Sequence, residues 1–180
     1  MFIETETTPN PATLKFLPGR AVMTEGTANF ADADAATRSP LAVRLFGLSG
    51  VTQVFYGGDF ISVSKNDDTA WQELKPAVLG AIMDHFTTGA TLLTGPAPAE
   101  AAGEDSDIVT QIKELIETRV RPAVAQDGGD IVFEDYADGV VFLQMHGSCS
   151  GCPSSTATLK SGIENMLRHY IPEVTEVRAV

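Results

Sequence analysis

Cys149 and Cys152 are the only cysteines in 180 residues, and they stand as a Cys-x-x-Cys pair in the stretch GSCSGCPSST. Two intervening residues let the chain curl so that both sulfurs face one point. Gly147, Ser148, Ser150 and Gly151 are small, so backbone can approach a bound ion and aim N–H groups at sulfur. Pro153 lacks an N–H and suits the first position of a helix. A helix N-terminus favours negative charge and predicts lowered thiol pKa values. Thiolate is both nucleophile and metal ligand, so the pair alone leaves several chemistries open.

The first is a thiol–disulfide couple. Strand, CxxC and helix in that order suit a thioredoxin-like site, but the 28 residues after Cys152 hold only one helix and one short strand. The second is a cysteine nucleophile, since GSCSG matches G-x-C-x-G. Its acid and base would have to follow in the chain, and only His169 does. The third is zinc: His146, Cys149 and Cys152 form H-x2-C-x2-C, three ligands that need a fourth. The fourth is an iron–sulfur cluster. A cubane [4Fe–4S] cluster takes four thiolates. One chain offers two and a symmetric homodimer offers all four. A cluster held at a junction between two chains can be released when they part, which suits a carrier.

Composition narrows the partners. Acidic residues outnumber basic ones 24 to 12, for a net charge of −12. Phosphate backbones and anionic membrane surfaces would be repelled, which argues against nucleic-acid and membrane binding. No apolar run reaches membrane-spanning length. The start, MFIETETTPNP, has no basic or apolar leader region. The expected location is the bacterial cytoplasm, with a mature mitochondrial matrix form as the alternative. A reducing compartment disfavours a structural Cys149–Cys152 disulfide.

The elements that must position the pair fall into two modules. The stretch TTGATLLTGPAPAEAAGEDSD (87–107) mixes Gly, Pro, Ala and acids without periodicity. Residues 89–105 read as a linker, flexible from Gly95 onward. Before it, FIETETT and TLKFLPG read as strands around PNPA. Ser39 caps a short helix with Pro40 in its first turn. VTQVFYGGDFISVSK is a hairpin turning at Gly57-Gly58 or Gly58-Asp59. TAWQELKPAVLGAIMDHF is an amphipathic helix, with Leu74, Val78, Ile82 and Phe86 at helical spacing and Pro76 predicting a kink or a late start. After the linker comes a helix capped by Ser106 or Asp105, with Ile108, Ile112, Leu115 and Ile116 facing inward and Pro122 ending or bending it. IVFEDY and VVFLQM form a hairpin through ADG. A helix from about Ser154 to Tyr170 and the strand VTEVRAV follow. The fold class is α+β: two small mixed domains, the second ordered α-β-β-α-β. His85 and His169 read as surface residues near helix C-termini, and Asp127-Gly128-Gly129-Asp130 as a turn.

The stretches RPAVAQDGGDI and LQMHGSCSGCPSSTATLKSGIENML closely resemble the C-terminal domain of the NifU family, the Nfu iron–sulfur carriers. TPNPATLKFLPG, SPLAVRLFGLSGVTQVFYGGDFISVSK and W-x-x-LKPAVLGAIMDHF resemble the Nfu N-terminal domain. The resemblance covers nearly the whole chain except the linker. It implies an Nfu-type N-terminal domain over 1–88 and a NifU-like domain over 106–180. It implies that Cys149 and Cys152 ligate a [4Fe–4S] cluster shared between two protomers. The chain would then be a scaffold or carrier rather than an enzyme. Its partners would be a second copy, an upstream cluster donor and apo iron–sulfur client proteins. The cysteine-free first module would dock partners or restrict access to the site.

Overall fold

The computed structural model describes residues 2–94, 106–150 and 153–180, with no account of the side chains of residues 153–155. The chain divides into two compact units, Met1–Pro96 and Ala97–Val180. Both are mixed α+β, as the sequence predicts.

The first unit is an antiparallel sheet of β1 (Glu4–Thr7), β2 (Thr13–Leu17), β3 (Ala28–Phe30), β4 (Val51–Tyr56) and β5 (Ile61–Lys65), in the spatial order β1-β2-β5-β4-β3. Cross-strand register puts Leu14 and Phe16 beside Val63 and Ile61, these beside Val54 and Tyr56, and these beside Phe30 and Ala28. Alternate residues of each strand thus make one apolar face. It is part of one core with residues of α1 (Pro40–Phe46) and α2 (Trp71–Thr88).

Several local devices are those the sequence implies. The Ser39 side chain caps α1 by accepting from the Ala42 N–H at 3.2 Å, and Pro40 opens the helix. Trp71 and Phe86 are partly buried and pack against the core. The β4–β5 hairpin turns around Gly58-Asp59, one of the two expected positions: Tyr56 and Ile61 are the last ladder pair, and beyond them the Gly57 N–H donates to the Phe60 carbonyl at 2.9 Å. Pro76 does not delay α2, which begins at Trp71 and runs through it to Thr88. Packing of Leu74, Val78 and Ile82 outweighs the missing hydrogen bond.

His85 departs from its expected surface position. It is only 4% exposed, and its Nε2 is buried with no hydrogen-bond partner among the described residues. Residues 95–105, most of the expected linker, lie outside the described residues. Residues 92–94, which precede them, pack on the first unit: Leu92 and Leu93 pack against its core, and Thr94 donates to the Arg38 carbonyl through both its N–H and its hydroxyl.

The second unit opens with α3 (Asp107–Leu115), whose N-cap is Ser106. Of the four residues expected to face inward, Ile112 and Ile116 are buried and Ile108 and Leu115 partly so. Pro122 does not end the helix. A π turn (Ile116–Val120) intervenes, and α4 (Arg121–Gln126) continues. Pro122 has no N–H for a carbonyl one turn back, and its ring would crowd that carbonyl. A wider turn just before it relieves both problems.

Then β6 (Gly129–Ala137) and β7 (Val140–Gly147) form a hairpin closed by Asp138 and Gly139, both at positive φ (51° and 80°), as a type I′ turn requires. A bulge at Glu134 shifts the register between Phe133 and Asp135. After α5 (Pro153–Tyr170), β8 (Glu176–Ala179) returns parallel to β7. Ile131, Leu143, Met145 and Val177 on the inner sheet face pack with Ile163 and Leu167 of α5. The order α-β-β-α-β holds, and it places the cysteine loop between the end of β7 and the start of α5.

Candidate functional site

The loop after β7 is shaped by its backbone. Gly147, the last residue of the strand, has φ of 63° and turns the chain. The Ser148 N–H donates to the Gly128 carbonyl at 3.3 Å, and the Ser148 hydroxyl donates to the Asp127 carbonyl. The Ser150 N–H donates back to the Gly147 carbonyl at 3.1 Å. From α5, the Thr156 hydroxyl donates to the Cys149 carbonyl at 3.2 Å. Cys149 is thus tied on both sides, to the turn before β6 and to the first turns of α5.

The Cys149 thiol is turned inward. Its residue is 6% exposed and belongs to the apolar core of the second unit. It faces Gly129, where a Cβ would stand 2.5 Å from Sγ and 2.9 Å from the His146 carbonyl oxygen. A bare backbone is the only wall that leaves the sulfur this space. Cys152 lies outside the described residues.

The electrostatics differ from the expectation of a helix-activated thiolate. Burial pushes the Cys149 thiol up to about 11, and the nearby carboxylates of Asp127 and Asp130 act the same way against a hydrogen bond from Ser148. Cys149 precedes the first residue of α5 by a full turn of chain and sits in the core, so desolvation outweighs the helix terminus.

His146 is not brought to this thiol. It pairs across the ladder with Asp130, while Gly129, Ile131 and Met145 belong to the alternate positions. The Cβ position of Gly129 points to the face of Ile131, where the thiol is, and the His146 side chain belongs to the opposite face. Burial holds the His146 imidazole below its usual pKa, helped by the Arg121 charge and opposed by Asp130 and Glu134. Among the described residues no group of three or more His, Cys, Asp or Glu side chains could hold a metal ion. His169, near the C-terminus of α5, is exposed and remote in sequence from the loop.

Sequence reasoning read the Asp127–Asp130 stretch as a turn and missed its polar clamp. Asp130 is buried, and its carboxylate accepts from Arg121 Nε at 2.9 Å and from Nη2 at 2.8 Å. The acid and base are nine residues apart in the stretch RPAVAQDGGD, where only a sharp turn can let them meet. That spacing is the signal that was there to find.

A thiol that faces bare backbone has room for a thiophilic ion or cluster. One described thiol faces the bare backbone of Gly129, and the second cysteine stands three residues further along the chain.

Comparison with known proteins bears on both units. Residues 3–89 match the family described as scaffold protein Nfu/NifU N terminal, and residues 112–178 match the NifU-like domain. The chain is 50% identical over 183 residues to the human NFU1 iron–sulfur cluster scaffold homolog, mitochondrial, covering 100% of this chain and 72% of that protein. It is 50% identical over 184 residues to NifU-like protein 4, mitochondrial, of Arabidopsis thaliana, covering 98% of this chain and 65% of that protein. The chain therefore spans about two thirds of the length of such relatives. A solution structure of a NifU-like protein from Saccharomyces cerevisiae superposes with a TM-score of 0.49 at 23% identity, over 53% of this chain and 87% of that one. The mitochondrial relatives overturn the expected bacterial cytoplasmic location.

Proposed function

This chain belongs to the Nfu/NifU scaffold family, and we propose that it carries an iron–sulfur cluster rather than catalysing a reaction. The cluster is cargo, of the [4Fe–4S] type. It is bound by Cys149 and Cys152 of two protomers and passed to apo-proteins in a mitochondrial setting. Likeness over the full chain to relatives named as iron–sulfur cluster scaffolds supports the class of cargo.

The observation that carries the reading is the place of the Cys149 thiol. It faces backbone alone at Gly129, on the sheet face that excludes His146. A chain with two cysteines cannot fill the four thiolate positions of a cubane, and a second copy can. A neutral, buried thiol is a poor nucleophile, which disfavours the thiol–disulfide alternative. The same thiol suits a ligand that is deprotonated as iron arrives.

Release then follows from ligand exchange. A client cysteine thiolate forms a bond to iron, the Cys149 or Cys152 thiolate leaves, and the leaving sulfur takes up the proton given up by the client. Iron and sulfide keep their oxidation states. Residues 106–180 hold the site, residues 89–105 link the parts, and residues 1–88 dock the client.

Cys149→Ala and Cys152→Ala test the assignment. Each is expected to keep the far-UV circular dichroism of the parent and to lose stable iron and sulfide after anaerobic reconstitution. A full complement of iron on either variant refutes the ligand assignment.

A further inference from the structure

We infer that Arg121 is a positioning residue for Cys149, acting through Asp130 and the turn between them. The inference rests on the reading of Cys149 as a cluster ligand.

Arg121 is the first residue of α4, and Asp130 is the second residue of β6. Three N–H groups of Arg121 are committed: Nε and Nη2 form a fork on the Asp130 carboxylate, and Nη1 donates to Glu117 at 2.6 Å. Glu117 lies in the π turn, so the wide turn and the fork hold the guanidinium together. Asp130 Oδ1 also accepts from the Ile131 N–H at 2.8 Å, which binds the carboxylate to the strand itself.

The fork closes a loop of chain whose last three residues before Asp130 are Asp127, Gly128 and Gly129. These three residues are the wall of the thiol site. The Asp127 and Gly128 carbonyls receive both Ser148 donors, and Gly129 faces Sγ. Gly128 and Gly129 have no side chains to anchor in the core, and the Asp127 side chain is exposed. The height of this wall above the thiol is set by the Ser148 bonds to its carbonyls and by what grips its ends. At one end that is the hydrogen-bonded end of α4, and at the other it is Asp130.

Asp130 is only 3% exposed. A carboxylate buried to that degree needs its partner, because an uncompensated buried charge is costly. The two parallel N–H···O bonds of a guanidinium fix orientation as well as distance, which a lysine ammonium cannot do. Without the fork the Asp127–Gly129 wall loses its anchor at Asp130 and is held only by the Ser148 bonds and the Gly129–Gly147 pairing, so it opens more often. Cys149 then becomes accessible and a bound cluster is less well retained.

The test uses the full-length chain with Cys152→Ser, which leaves Cys149 as the sole thiol, and follows alkylation by iodoacetamide without any cluster. Arg121→Gln and Asp130→Asn are each expected to raise the alkylation rate by about tenfold, the scale of one lost charge-assisted hydrogen bond. Arg121→Gln added to Asp130→Asn should raise it no further. Arg121→Lys should keep the charge and most of the thermal midpoint, yet react as fast as Arg121→Gln. In chains that retain Cys152, the same variants should shed iron correspondingly faster on gel filtration.

A parent-like alkylation rate in folded Arg121→Gln overturns the inference, and so does full protection by lysine, which would make charge rather than the fork the agent. If Arg121→Gln does not fold, Arg121→Lys and Asp130→Asn carry the comparison. The thiol rate is read without cargo. A parent that takes up no iron would sink the carrier reading and leave this measurement standing.

Discussion

Gly129 faces Cys149 so closely that a Cβ on the glycine would stand 2.5 Å from the cysteine sulfur. No side chain fits there without displacing the thiol or the backbone of the loop. Gly129→Ala is therefore expected to destabilise the second unit by about 1–3 kcal/mol, the usual cost of overpacking. It should also reduce iron retention in a chain that still folds. Thermal unfolding and iron analysis of the reconstituted variant check both effects. Parent-like values for both would show that the site tolerates more room than the contact implies.

Ser39 joins two structures in the first unit. Its hydroxyl caps α1 and lies 2.8 Å from the Tyr56 phenol oxygen, with both residues buried. Burial pushes the Tyr56 pKa far above its ordinary value, so the phenol stays neutral and can share this bond at any physiological pH. Ser39→Ala removes the cap and one of the two hydrogen-bond partners of the buried Tyr56 hydroxyl, the other being the Ala42 backbone, and should cost about 1–2 kcal/mol. Iron binding at the second unit should be unchanged. Denaturant unfolding followed by Trp71 fluorescence reads the first effect, since Trp71 is the only tryptophan.

His85 predicts a pH dependence in the first unit. Burial lowers its pKa from 6.5, and the nearby Arg44 charge lowers it further. The unfolded chain therefore binds a proton that the folded chain refuses. Stability from this group is complete above about pH 6.5, falls as the pH drops below that value, and levels off below the folded pKa. Melting curves between pH 7.5 and about 5 should show this loss, and His85→Leu should flatten it. An unchanged slope in that variant would contradict the assignment.

The proposed division of labour has its own test. A chain lacking residues 1–88 should bind iron and sulfide as the full chain does, yet pass the cluster to an apo-client more slowly. Equal transfer rates from the two forms would remove the docking role from the first unit.

Local chemistry was legible in the sequence where it acts locally. Ser39-Pro40 and Asp138-Gly139 specify a cap and a turn from neighbouring residues alone. The Leu74, Val78 and Ile82 spacing specifies the buried stripe of α2. His85 lies seven residues after Val78, hence on that stripe, and periodicity rather than residue type is the guide to its burial. The π turn was not legible, because the strain at Pro122 is resolved in the turn before it. Nor was the raised Cys149 pKa. The wall that desolvates the thiol arrives from Asp127–Gly129, about twenty residues upstream, and only the β6–β7 ladder brings them together. The zinc reading of His146 is not favoured for the same kind of reason, since proximity in sequence does not place His146 and Cys149 on one face of the sheet.

The central claim is that two copies of this chain hold one cluster between them. Anaerobic reconstitution with iron and sulfide, followed by native mass spectrometry and iron analysis of the same sample, tests it most directly. The account predicts a dimer with about two irons per chain, which reverts to monomer when the cluster is removed. A monomer that holds a full cluster by itself would contradict it, as would an iron-free monomer that closes a Cys149–Cys152 disulfide.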